Sequence, residues 1–73
     1  MNYRFNAIKF SVAVKIWRNM NNLTIREMAE LNGIAPSSYG FIESGDRTPT
    51  IAEFTNLSNT IGFEPKDFFD HGK

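Results

Sequence analysis

Apolar residues recur at spacings of three and four through Phe10, Ala13, Val14, Trp17 and Met20, which is one face of an amphipathic helix. Upstream, Tyr3, Phe5, Ile8 and Phe10 fit neither a helical nor a strand period, so residues 1–9 read as an N-terminal arm or a helix extension. Asparagines 19, 21 and 22 end the helix, because their side chains compete for nearby backbone groups. Thr24, with Glu27 three residues on, makes a capping box for a second helix over 24–32. Its apolar face is Met28, Ala29 and Leu31, and Gly33 sits where a left-handed C-cap belongs. Pro36 suits the first turn of a third helix over 35–44, where its missing N–H costs nothing. Tyr39 and Ile42 face inward there, Gly45 ends the helix, and residues 46–49 form a turn. Thr50 and Glu53 repeat the capping pattern for a fourth helix whose buried face is Phe54, Leu57 and Ile61, stopped by Gly62. Pro65 begins a final turn or short helix carrying Phe68 and Phe69, and residues 70–73 read as a frayed tail. No strand pattern or internal repeat emerges. The pattern predicts one all-α domain over 1–73, a compact arrangement of five short helices.

Length and composition narrow the possibilities. At 73 residues the chain buries only about 60% of the surface its unfolded form exposes. With no cysteine and a single histidine, His71, it has neither disulfides nor the makings of a metal staple, so dimerisation stays open as a source of stability. Trp17, Phe54, Leu57, Phe68 and Phe69 read as core, and Glu27 with Glu30 as solvated surface. No phosphate loop, metal cluster or catalytic triad can be assembled, so the chain is read as a non-enzyme without a cofactor. No segment reaches the roughly 18 apolar residues that span a bilayer, and the expected location is cytoplasmic.

Net charge is zero, but it is unevenly spread. Residues 1–26 hold Arg4, Lys9, Lys15, Arg18 and Arg26 and no acid; residues 27–73 carry a balancing −5. Such asymmetry fits a surface that faces a polyanion, and equally two halves that neutralise each other in the fold.

The informative piece is the pair of helices within 24–44, joined by a tight turn at Asn32-Gly33-Ile34. A small residue in the first helix (Ala29) and a glycine in the turn describe a helix-turn-helix unit. Leu23-Thr24, Met28-Ala29-Glu30, Gly33-Ile34, Ile42-Glu43, Gly45, Arg47 with Pro49, and Leu57 with Ile61-Gly62 stand in an order that resembles a known family. It is the lambda-repressor-like DNA-binding domain of the Cro and phage-repressor type, also called the xenobiotic-response-element family. The resemblance runs from Arg18 to Phe69, about 70% of the chain.

The resemblance implies a bacterial or phage transcriptional regulator, repressor-like and dimeric, that places the helix over 35–44 in the major groove of double-stranded DNA. Base-reading positions then fall on Ala35, Pro36, Ser37, Ser38, Gly40 and Phe41. Phosphate contacts fall on Thr24 and Arg26 and, after the recognition helix, on Ser44 and Arg47. Arg18 and Glu43 match a structural ion pair. This chain departs from the family pattern in three ways. Ile25 replaces a frequent glutamine, Asp46 stands where a basic residue is frequent, and the recognition positions carry no positive charge. Two readings therefore remain open. In one, Ser37 and Ser38 touch base edges or phosphates, Phe41 packs on a thymine methyl, and Arg26 and Arg47 anchor the backbone. In the other, an apolar spot at Phe41 serves a protein partner, as in a protein-interaction module or an antitoxin-like protein.

Overall fold

The computed structural model describes residues 2–72. In chain order the elements are β1 (Asn2–Phe5), α1 (Ala7–Met20), α2 (Ile25–Leu31), α3 (Pro36–Ser44), α4 (Ile51–Ile61), a 3₁₀ turn (Pro65–Phe68) and β2 (Phe69–Gly72). Helix boundaries follow side-chain chemistry. Asn6 caps α1 by accepting from the Lys9 N–H at 2.9 Å, and Asn22 leaves that helix at φ +55°. Thr24 and Thr50 each form a full capping box, with Glu27 and Glu53 returning the bond to the cap's own N–H. Two left-handed glycines, Gly45 and Gly62, terminate α3 and α4.

Two expectations are corrected. The fifth helix is a single 3₁₀ turn, so the described residues hold four α-helices. Of residues 1–9, read as an arm or a helix extension, 7–9 do extend α1, whereas 2–5 pair with 69–72, most of the expected frayed tail, in a two-stranded antiparallel ribbon. It joins Asn2 with Gly72, Tyr3 with His71, Arg4 with Asp70 and Phe5 with Phe69, Met1 and Lys73 lying outside the described residues. No local period could reveal this pairing, because each strand has four residues and its partner lies at the other end of the chain.

An isolated two-stranded ribbon is marginal in water, and this one is held by aromatic packing. Phe5 and Phe69 lie 5.5 Å apart and both pack on Phe54, at 5.3 and 5.9 Å. Phe10 meets Phe54 at 5.0 Å and Phe68 at 4.9 Å, the latter edge to face, an arrangement that ring quadrupoles favour. The Asn6 N–H donates to the Phe68 carbonyl at 2.6 Å and its side-chain amide to Asp70 at 2.9 Å, so both strand ends join α1. The remaining core is Val14, Met28, Ala29, Ile34, Tyr39, Ile42, Leu57 and Ile61. Trp17, expected as core, is partly buried at its edge, while Phe69, also expected as core, and Met20 and Leu31, expected on the inward faces of their helices, are exposed.

Phe68 is 2% exposed at the centre of the aromatic cluster, so Phe68→Ala should lower unfolding free energy by about 3–5 kcal/mol. Ile8→Ala, at a 73% exposed position, should stay within about 0.5 kcal/mol. Urea denaturation checks both, and a Phe68→Ala loss below about 1 kcal/mol would remove the cluster from its structural role.

Candidate nucleic-acid interface

The helix-turn-helix is set by a short series of backbone and side-chain contacts. Ala29 is fully buried, so α3 approaches α2 closely across it. Gly33 adopts φ +66°, which a side chain would strain, and the Ile34 N–H returns to the Ala29 carbonyl at 2.9 Å. Asn32 then ties the turn down. Its buried amide donates to the Met28 carbonyl at 2.9 Å, and its Oδ1 accepts from Thr60 of α4 at 2.7 Å. Asn32 is a positioning residue that periodicity did not single out. In sequence an asparagine beside a glycine reads simply as turn chemistry.

The far end of α3 is anchored ionically. Arg18 of α1 grips Glu43 with two bonds, Nε to Oε2 at 2.7 Å and Nη2 to Oε1 at 2.8 Å, and donates a third to the Leu23 carbonyl at 2.8 Å. The expected ion pair is therefore formed, with side chains only 12 and 6% exposed. Tyr39 completes it: the fully buried hydroxyl donates to Glu43 Oε2 at 2.5 Å. Tyr39 was expected simply as core, and its spacing of four from Glu43 is the signal that could have placed this bond. Burial opposes the charge on Glu43, but the hydrogen bonds from Arg18 and Tyr39 prevail and hold its carboxyl below the usual carboxylate range. Burial and the bond to Glu43 push the Tyr39 phenol far above its ordinary value.

These anchors leave one side of α3 in solvent. Ala35, Pro36, Ser37, Phe41 and Ser44 are exposed, and Ser38 and Gly40 are half-buried. The base-reading positions implied by the sequence thus share one continuous outward surface. Phe41 is 54% exposed, an apolar side chain at its centre. Both hydroxyls implied in phosphate contact already have partners. Thr24 Oγ1 accepts from the Glu27 N–H at 3.0 Å, and the Ser44 hydroxyl is shared between the Phe41 carbonyl and Asp46, at 3.0 and 2.9 Å.

The cations divide. Arg26 is exposed and, among the described residues, forms no ion pair. Arg47 lies against Glu53, with contacts of 3.1 and 3.3 Å. Burial disfavours the Glu53 charge, but the Thr50 N–H and Arg47 outweigh this and keep its carboxyl below the usual range. Sequence reasoning took Glu53 as a cap alone, although a carboxylate six residues beyond Arg47 across a turn is within reach of it. Among the described residues no group of three His, Asp or Glu side chains is placed to hold a metal ion. Nor is any helix there long and apolar enough to cross a membrane.

A family model described as a helix-turn-helix domain matches residues 13–71. Among solved structures, the chain is similar to the restriction-modification controller protein C.AhdI from Aeromonas hydrophila, with 25% identity and a TM-score of 0.72 over 86% of this chain and 96% of that one. It is also similar to an HTH_3 family transcriptional regulator from Vibrio cholerae (24% identity, TM-score 0.71, 86% of this chain and 35% of that one). A third likeness is to the clp gene regulator ClgR from Corynebacterium glutamicum (18% identity, TM-score 0.72, 89% and 69%). The last two, below 25% identity, bear on the fold alone. Comparison with curated proteins gives no match.

Breaking the buried pair tests the anchor. Glu43→Ala leaves the Arg18 guanidinium without its carboxylate and should cost about 3–5 kcal/mol. Tyr39→Phe removes one bond to a charged acceptor and should cost about 1.5–3 kcal/mol. Because the Glu43 carboxyl is held below its unfolded value, its contribution is complete at neutral pH and fades as acid protonates it in the folded state. Because the Tyr39 phenol is held above its unfolded value, stability should also fall as pH rises past ~10, where the unfolded phenol ionises. Denaturation midpoints across the pH range read out both limbs. Equal acid sensitivity in Glu43→Gln and the parent would exclude Glu43 as the source of the acid limb.

Proposed function

Because this chain belongs to the helix-turn-helix domain family, we propose that it is a sequence-specific, double-stranded-DNA-binding transcriptional regulator. It acts by occupancy rather than chemistry, as a repressor-like homodimer in the cytoplasm. The single observation that carries this reading is the exposed face of α3, from Ala35 to Ser44, held rigid behind by Ala29, Asn32 and the Arg18–Glu43–Tyr39 group. In the proposed complex Pro36, Ser37 and Phe41 approach base edges, with Ser38 and Gly40 beside them. That C.AhdI is a restriction-modification controller protein supports the same assignment.

The electrostatics of the face set the character of the binding. Nothing on α3 is positively charged, and Arg47 reaches a phosphate only in competition with Glu53. Arg26 is then the principal free cation beside the recognition surface. Few phosphate contacts release few counterions, so binding should be weak and only mildly salt-dependent. Sequence preference would rest on the hydroxyls of Ser37 and Ser38 and on Phe41 against a thymine methyl.

A second reading rests on Phe41 itself. A half-exposed aromatic ring among small neutral residues suits an apolar protein partner as well as a base edge.

Selection from random duplex DNA at ~50 and ~200 mM salt separates the readings. The expected result is an enriched palindrome with half-sites ~10 base pairs apart. Arg26→Ala should weaken all sequences alike and lower the salt slope by about one, while Ser37→Ala should alter the preferred sequence. Glu53→Gln should strengthen binding at low salt by releasing Arg47. Absence of DNA binding at either salt would discard the regulator and leave the protein-partner reading, for which Phe41→Ala is the decisive variant.

A further inference from the structure

Helix α1 is apolar on two sides, and the core accounts for one of them. Phe10 and Val14 face inward, while Ile8, Val12, Ile16 and Met20 recur every fourth residue on the outer side and are 73, 49, 53 and 77% exposed. Residues at this spacing form a continuous ridge of the kind that seats in the groove of another helix. Beside it runs an open groove of about 510 Å³, walled by Val12, Ile16, Trp17, Phe63 and Phe68. Phe63, 49% exposed, extends the apolar surface from the loop after α4. A surface helix ordinarily presents polar residues here, and a clustered apolar face of this sort marks an interaction site.

The charges around the ridge identify what covers it. Lys9 lines the groove and Lys15 lies beyond the opposite edge of the ridge, whereas no acid occurs before Glu27. Arg18 is already neutralised by Glu43. Asp67, the one carboxylate among the groove's lining residues, keeps its charge while capping its own turn by accepting from the Glu64 N–H at 3.2 Å, so the groove wall outside α1 is acidic and the helix itself contributes only cations. A second copy docking through α1 would bring this cationic helix against itself with no carboxylate on either α1. We propose that the ridge and groove of α1 dock an amphipathic helix of a partner protein, apolar along one face and flanked by Asp or Glu. Arg18, the α1 residue that grips α3, stands about 160° around the helix from Ile16, so such a partner leaves the outward face of α3 free.

The test uses the whole protein and two fluorescent helical peptides of about 18 residues with the same leucine ridge, one flanked by Glu and the other by Lys. Anisotropy titration should show the Glu-flanked peptide binding at least ~10-fold more tightly at ~50 mM salt, with the difference shrinking toward ~1 M. Ile16→Asp should abolish binding while the chain stays cooperatively folded, with a melting temperature lowered by no more than about 8 °C because the side chain is half-exposed. Val12→Ser, a milder change on the same ridge, should weaken it, and Lys9→Glu should diminish or invert the preference between peptides. Equal affinity for both peptides, or binding by neither, overturns the proposal. So does a dimer in sedimentation equilibrium that Ile16→Asp dissociates, since a second copy would then occupy the ridge.

Discussion

The orientation of α3 depends on one buried ionic group. Arg18 reaches from α1 with a bidentate grip on Glu43, and Tyr39, one turn earlier on α3, supplies the remaining bond to the carboxylate. A charge pair withdrawn from water stabilises only when its lone pairs and protons find partners, and here Glu43 accepts three bonds while Arg18 donates three. Because guanidinium and carboxylate meet as planar forks, the contact sets direction as well as distance. It fixes the C-terminal half of α3 against α1, while Ala29 and the Asn32–Thr60 bridge fix the N-terminal half against α2 and α4. A helix restrained at both ends presents one outward face, and the proposed base contacts lie along it.

That face is electrically unusual for the role proposed. The first 26 residues carry five cations, yet none lies on α3: Arg18 is taken up by Glu43, Lys9 and Lys15 lie along α1, Arg4 lies on β1 opposite Asp70, and Arg26 lies on α2. Within the acidic half, Glu53 takes up that half's own Arg47. Among the described residues one ion pair, Arg18 with Glu43, joins the basic and acidic halves, and Arg26 stays exposed without one.

The termini are joined by apolar packing and hydrogen bonds. Six of the seven phenylalanines gather where β1, α1, α4, the 3₁₀ turn and β2 meet, and the seventh is Phe41. In a chain too short for a deep core, this cluster gives the ends something to bury against, which converts two four-residue segments into a paired ribbon. It occupies the inner side of α1 and leaves the outer ridge of that same helix uncovered.

The sequence by itself determined whatever depends on near neighbours. Capping boxes at Thr24 and Thr50, helix stops at Asn22, Gly33, Gly45 and Gly62, and most of the inward faces of α1 and α4 are interactions within about four residues, where periodicity and turn chemistry are decisive, although the spacing that put Met20 on the inward face of α1 left it 77% exposed. The Arg18–Glu43 pair was also legible, but only because the motif order resembled a family in which such a pair exists. The tertiary structure decided the rest. Tyr39 finding Glu43, Asn32 finding Thr60 and Arg47 turning to Glu53 are choices among several available partners, settled by which side chains the packed helices bring within hydrogen-bond reach. The ribbon of residues 2–5 with 69–72 lies furthest from local inference. Its strands pair across nearly the whole chain, and their pairing gains its stability from a phenylalanine cluster that exists only once the helices have assembled.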